Sequence, residues 1–223
     1  MTDKLNRNQK PDAVFRKLTV GEEIFNSITH GIGTLLSITG LVILVVIAIN
    51  NGNIWHIVSF SIYGSTMILL YLSSTLYHSF MHEKVKNIFA RFDHAAIFFL
   101  IAGTYTPFVL TVIRGAFGWT IFGIIWGIAI TGAVVRSIYL TRFKKFMVYL
   151  YLFMGWMFVI AIVPMVRNLS FTSILFLFLG GIFYSLGVIF YNLRKVKYAH
   201  GIWHLFVLAG SVMHFFSVLY ILK

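Results

Sequence analysis

Phe171–Tyr191 reads FTSILFLFLGGIFYSLGVIFY, twenty-one residues with no charge among them. An α-helix rises 1.5 Å per residue, so this stretch forms a helix of about 31 Å. That length matches the hydrocarbon core of a bilayer, about 30 Å thick. Arg167-Asn168 precede the stretch and Arg194–Lys197 follow it, so charge marks both of its ends. Strand alternation is absent, which excludes a membrane β-barrel.

Working outward, six more runs of the same kind appear. They cover Ile32–Ile49, Trp55–Tyr77, Ala95–Ile113, Phe117–Val135, Phe146–Val166 and Ile202–Leu222. The separators are short and polar, such as Asn50-Asn51-Gly52-Asn53, and leave no room for a second, soluble domain. The composition agrees: 59% of the 223 residues are hydrophobic and only 11% are charged. A soluble domain needs roughly 25% charged residues to cover its surface. The expected fold is therefore an all-α integral membrane protein, a seven-helix bundle spanning residues 19–223 behind a polar tail at 1–18. No apolar core of a signal peptide occurs in the first thirty residues, so none is expected. Cysteine is absent, which removes disulfides and thiolate metal sites.

The formal charge of +12 resolves into topology. Fifteen Lys and Arg residues fall before span one and between spans two and three, four and five, and six and seven. Only Arg114, Arg167 and Lys223 fall on the other side. Positive loops stay inside, so the N-terminus is expected to be cytoplasmic and the C-terminus external. With the basic residues explained in this way, nucleic acid is not an expected partner. Thr19-Val20-Gly21-Glu22 fits a capping box and predicts a helix start ahead of span one.

Ionisable groups near spans are costly in lipid and are functional candidates for that reason. Six of the eight histidines lie at the expected cytoplasmic ends of spans, and His56 and His214 lie elsewhere. His30 enters span one, His78 closes span two with His82 behind it, His94 opens span three beside Asp93, and His200 and His204 open span seven. His200 and His204 are four apart, as are Ser74 and His78. Glu23, Asn26 and His30 share a third helix face. Two imidazoles at this spacing can address one ion, and a histidine from another helix completes a three-nitrogen set. Zinc held by three protein ligands keeps a position for water, the catalytic rather than the structural arrangement. The best set is His78, His200 and His204, with Asp93 either hydrogen-bonded to the water or ligating directly. His56 and His82 read as ordinary interface residues, His214 as a buried hydrogen-bonded one, and His94 as turned about 100° from Asp93.

Other features have structural readings. Gly123-Ile-Ile-Trp-Gly127 is a small-xxx-small pattern, expected to pack span four inside the bundle. Pro107 and Pro164 are expected to kink spans three and five, with Thr104 and Thr106 satisfying backbone groups that the kink frees. Tyr63, Tyr71, Tyr105, Tyr149 and Tyr151 are candidates to line a pocket.

Taken together, Glu23-x-x-Asn26-x-x-x-His30, Ser74-x-x-x-His78, Asp93 with Ala102-Gly-Thr-Tyr-Thr-Pro107, and His200-x-x-x-His204 resemble the bacterial hemolysin III proteins, a branch of the progestin and adipoQ receptor superfamily. The resemblance runs from about residue 19 to the C-terminus. It implies a cytoplasmic N-terminus and an inner-leaflet zinc site ligated by His78, His200 and His204, with Asp93 and Ser74 as the nearby catalytic or supporting pair. The wider superfamily includes alkaline ceramidases, which hydrolyse a lipid amide, and the bacterial branch is named for red-cell lysis.

Three functions are in competition. The first is a zinc-dependent hydrolase of a membrane-lipid amide or ester, or a lipid-homeostasis factor. In it a zinc-activated water attacks the carbonyl, Asp93 shuttles the proton, Ser74 polarises the oxyanion, and Glu23, Asn26 and His30 support the site. The second is a non-enzymatic membrane receptor or regulator with structural zinc. The third is a pore-forming cytolysin, which the absence of a polar pore-lining face argues against. The expected partner is a membrane lipid, and the expected location the cell membrane.

Overall fold

The computed structural model describes residues 18–140, 142–193 and 195–222. All but the last residue of the polar tail expected at 1–18 lies outside the described residues. Seven helices are long and apolar enough to cross a membrane: α1 (Val20–Asn51), α2 (Ile54–Ser79), α3 (Glu83–Val112), α4 (Ala116–Ile138), α5 (Lys144–Asn168), α6 (Phe171–Asn192) and α7 (Ala199–Leu222). Consecutive helices α1 to α4 pack side by side, α6 packs on α7, and α7 returns onto α1 to close the bundle. The lipid-facing surface is apolar, with Leu35 67% and Phe171 78% exposed.

Two helices begin well before their apolar runs. The expected capping box starts α1: Thr19 N donates to Glu22 Oε2 at 2.9 Å, and Glu22 N donates to Thr19 Oγ at 3.3 Å. α1 thereby gains three turns that carry Glu22, Glu23, Asn26 and His30, all buried. α3 likewise extends back to Glu83, so that Asp93 sits inside the helix.

Pro107 and Pro164 each sit near a break in regular α-helix. After Pro107 the helix widens into a π turn over Phe108–Val112. Thr104 and Thr106 donate to the carbonyls of Leu100 and Ala102, whereas the carbonyl that loses its donor to Pro107 is that of Gly103, four residues back. In α5 the break precedes Pro164 as a 3-10 stretch at Met157–Ala161. Irregular backbone at membrane depth must find partners inside the protein. Tyr105 of α3 supplies one, its hydroxyl accepting from Phe158 N at 2.8 Å and donating to Met154 O at 2.7 Å.

Gly123 and Gly127 do not pack inside the bundle. Both are exposed on α4, and a Cβ at either would meet nothing within 4 Å. The close approach of α4 to α3 is made instead at Gly132, where a Cβ would collide with Phe98.

Candidate metal centre

Two helices, α2 and α7, bring three histidines to one point at the end of the bundle where α1, α3, α5 and α7 begin. His200 Nε2 lies 3.3 Å from His78 Nε2 and 3.2 Å from His204 Nε2. One ligand atom from each of the three lies within 4.8 Å of the others, close enough to hold one metal ion. His78 is 2% exposed and His204 0%. The donor set fits zinc: nitrogens about 2.0–2.1 Å from a tetrahedral ion are roughly 3.3 Å apart. Asp93 is not part of the converging set.

The opposite ring nitrogens explain why the Nε2 atoms point inward. His78 donates from Nδ1 to Glu23 Oε2 at 2.6 Å, and the other oxygen of Glu23 accepts from Lys86 Nζ at 2.9 Å. His204 Nδ1 lies 3.3 Å from both the Asn26 carbonyl and Thr29 Oγ. A donor hydrogen bond from Nδ1 leaves Nε2 with a free lone pair and fixes the ring plane. His30 stacks on His204, with centroids 3.5 Å apart and planes 12° apart, and neither of its ring nitrogens has a partner. Glu23, Asn26 and His30 thus all reach the site from one face of α1. The Asn26 side chain also lies 3.5 Å from His78 Nδ1.

Asp93 and Ser74 are both buried, at 5% and 0% exposure. The near polar neighbours of Asp93 are His78, Ser74 and Arg136, with His94 Nδ1 3.9 Å away. The remaining histidines have local roles. His56 accepts from Asn53 N at 3.3 Å at the cap of α2. His94 Nδ1 lies 2.6 Å from its own helix carbonyl at Ala90. His214 Nε2 lies 3.2 Å from the Leu177 carbonyl.

From this end an apolar cavity of about 160 Å³ runs down the bundle. Its α3 wall reaches from Asp93 to Ile113, about 30 Å of helix and so the depth of a bilayer core. His30, Asp93 and His200 line its head, and Tyr105 and Tyr151 line its wall. Tyr149 does not: it is 70% exposed on the outer face of α5. Tyr71 instead donates to Ser211 Oγ at 2.7 Å, and Tyr63 is fully buried among core side chains.

Thr29, Lys86 and Glu22 were not foreseen at the site. Glu22 Oε1 accepts from Tyr198 N at 2.8 Å, tying the start of α1 to the residue that caps α7 just before His200. The available signal for Thr29 is its position three residues beyond Asn26 on the same helix face.

Comparison with known proteins follows the same stretch of chain. The profile of the haemolysin-III related family matches residues 18–215. The chain is 51% identical over 202 residues to the Hemolysin-3 homolog of Bacillus subtilis, covering 91% of this chain and 95% of that one. It is 49% identical over 201 residues to Hemolysin-3 of Bacillus cereus, covering 90% and 92%. A more distant match is the human monocyte to macrophage differentiation factor, 27% identical over 208 residues, covering 91% and 85%.

Proposed function

Since the chain belongs to the haemolysin-III related family of multi-pass cell-membrane proteins, we propose that its converging histidines hold zinc and that it hydrolyses the amide or ester bond of a membrane lipid. One observation carries this proposal: the three Nε2 atoms meet at the head of an apolar cavity as long as a bilayer core. A site for metal alone needs no such cavity, and a site for lipid alone needs no three-nitrogen cluster.

Zinc, when bound there, supplies a water that ionises near neutral pH and an electrophile for the carbonyl. The rest falls to the chain's own side chains. Asp93, buried beside the cluster but outside the ligand set, takes the proton from the attacking water and returns it to the departing amine or alcohol. Ser74 Oγ, buried beside Asp93, donates to the carbonyl oxygen as negative charge develops on it. The cavity wall holds the acyl chain and keeps water from it. Glu23 orients His78, and the Asn26 carbonyl with Thr29 orients His204. His30 braces the face of His204. The basic loops at this end support its assignment to the cytoplasmic leaflet.

The test is turnover of lipid amides and esters by purified protein in nanodiscs. Asp93→Asn is expected to lose roughly 100-fold or more in rate while keeping its zinc and its thermal stability. Unchanged turnover in that variant contradicts the proposed chemistry. If wild type turns over no lipid but loses stability when zinc is removed, a regulator with structural zinc takes its place.

A further inference from the structure

A second recess, of about 360 Å³, lies beside the cavity head at the same end of the bundle. The two spaces adjoin, and His94, Tyr191 and His200 line both. Their chemistry differs. The long cavity is apolar, whereas Lys86, Arg136 and Lys144 line the recess, and no carboxylate does among the described residues.

Arg136 is the informative member. It lies in the last turn of α4 and is only 2% exposed. One Nη donates to the Leu140 carbonyl, and Nε has no partner. The ion pairs at this end join Glu23 to Lys86 and to His78, and Asp93 approaches His94 at 3.9 Å. Arg136 takes part in none of these contacts, and Asp93 is the buried carboxylate near it. A charge removed from water is costly unless an opposite charge meets it, and a guanidinium is the side chain best shaped to grip a phosphate or carboxylate. Asp93 and Tyr151 are its polar neighbours inside the protein, so its remaining capacity faces the recess.

We propose that the recess is an anion subsite, and that the lipid accepted here carries a phosphate in its headgroup. The proposal rests on the lipid-hydrolase reading and names its substrate class. An amphiphile spanning both spaces sets its phosphate at Arg136, its carbonyl beside His200 and its chain along the apolar cavity. A neutral lipid amide with no headgroup charge leaves Arg136 with Asp93 and Tyr151 alone.

The experiment measures binding and turnover separately. Phosphatidic acid, diacylglycerol with the same chains, and inorganic phosphate compete against a fluorescent fatty-chain probe bound to His204→Ala, which keeps the recess but lacks a complete metal site. Phosphatidic acid is expected to displace the probe at concentrations about tenfold or more below diacylglycerol. Arg136→Gln is expected to abolish that preference with diacylglycerol displacement unchanged, and Arg136→Lys to restore part of it. Equal displacement by the two lipids overturns the proposal, as does a folded Arg136→Gln that keeps the preference. Displacement by inorganic phosphate at the concentrations that suffice for phosphatidic acid also overturns it, in favour of a soluble anion. Should Arg136→Gln fail to fold, the preference of the parent protein and its weakening in Lys144→Gln decide. A preference without turnover in the parent protein removes hydrolysis and leaves the subsite. Turnover without a preference leaves a hydrolase of neutral lipids.

Discussion

At the residue scale, the site depends on what stands behind each histidine. Glu23 is 2.6 Å from His78 Nδ1 and is shared with Lys86. Removing such a partner from a metal-bound histidine typically weakens metal affinity 10–100-fold. Glu23→Gln is therefore expected to raise the zinc dissociation constant by roughly that factor, read by competition with a coloured chelator, with the helical content unchanged. An unaltered constant would show that the Glu23–His78 contact does not tune the metal. The convergence of His78, His200 and His204 was legible in the sequence because helical spacing and depth in the membrane reduce to counting. The partners were legible only where they are side chains on a face already singled out, as with Glu23, Asn26 and His30. The grip on His204 comes partly from the Asn26 main-chain carbonyl, a group every residue has, so no residue type announces it. Lys86 read as one more topology charge, yet its Nζ also meets the Tyr77 carbonyl and Glu23.

At the element scale, helix approach decides whether the histidines can meet. α7 reaches α1 beside the cluster at Gly201, where a Cβ would collide with the Phe25 ring and come 2.9 Å from Asn26 Oδ1. Gly201→Ala is expected to destabilise the fold by about 1–3 kcal/mol and to lower zinc content with it, both measurable by thermal unfolding in detergent and by metal analysis. Tyr105→Phe is expected to cost about 1–3 kcal/mol, because it strips the Phe158 N–H of its hydroxyl partner at the 3-10 stretch of α5. An unchanged melting temperature would mean that α5 resolves its break in another way. Seven helices and their order were plain from apolar length alone. The start of α1 was legible from its capping box, whereas the Glu83–Phe92 segment of α3 carries no apolar run to reveal it. The Gly123-x-x-x-Gly127 pattern misled because a glycine pair records how closely a helix could approach something, not that a neighbour stands there. The π turn after Pro107 and the 3-10 stretch before Pro164 depend on contacts between helices, which one sequence does not display.

At the scale of the whole molecule, the charge that looked excessive for so apolar a chain has a division of labour. Most of it lies in the loops on one side of the bundle, and part of it, at Lys86, Arg136 and Lys144, lines the recess at the histidine end. Because the chain has no cysteine, single introduced cysteines report topology cleanly. Arg114→Cys is expected to react with an impermeant maleimide added to intact cells, and Lys84→Cys only after permeabilisation. The opposite pattern would invert the bundle and move the histidine cluster to the outer leaflet.

The central claim is that His78, His200 and His204 form a zinc site, and metal analysis of the purified protein tests it most directly. The wild-type chain is expected to carry about one zinc ion, and His204→Ala, still helical, to carry almost none. Wild-type protein and His204→Ala with the same negligible zinc, after purification without chelator and after incubation with the metal, would contradict it.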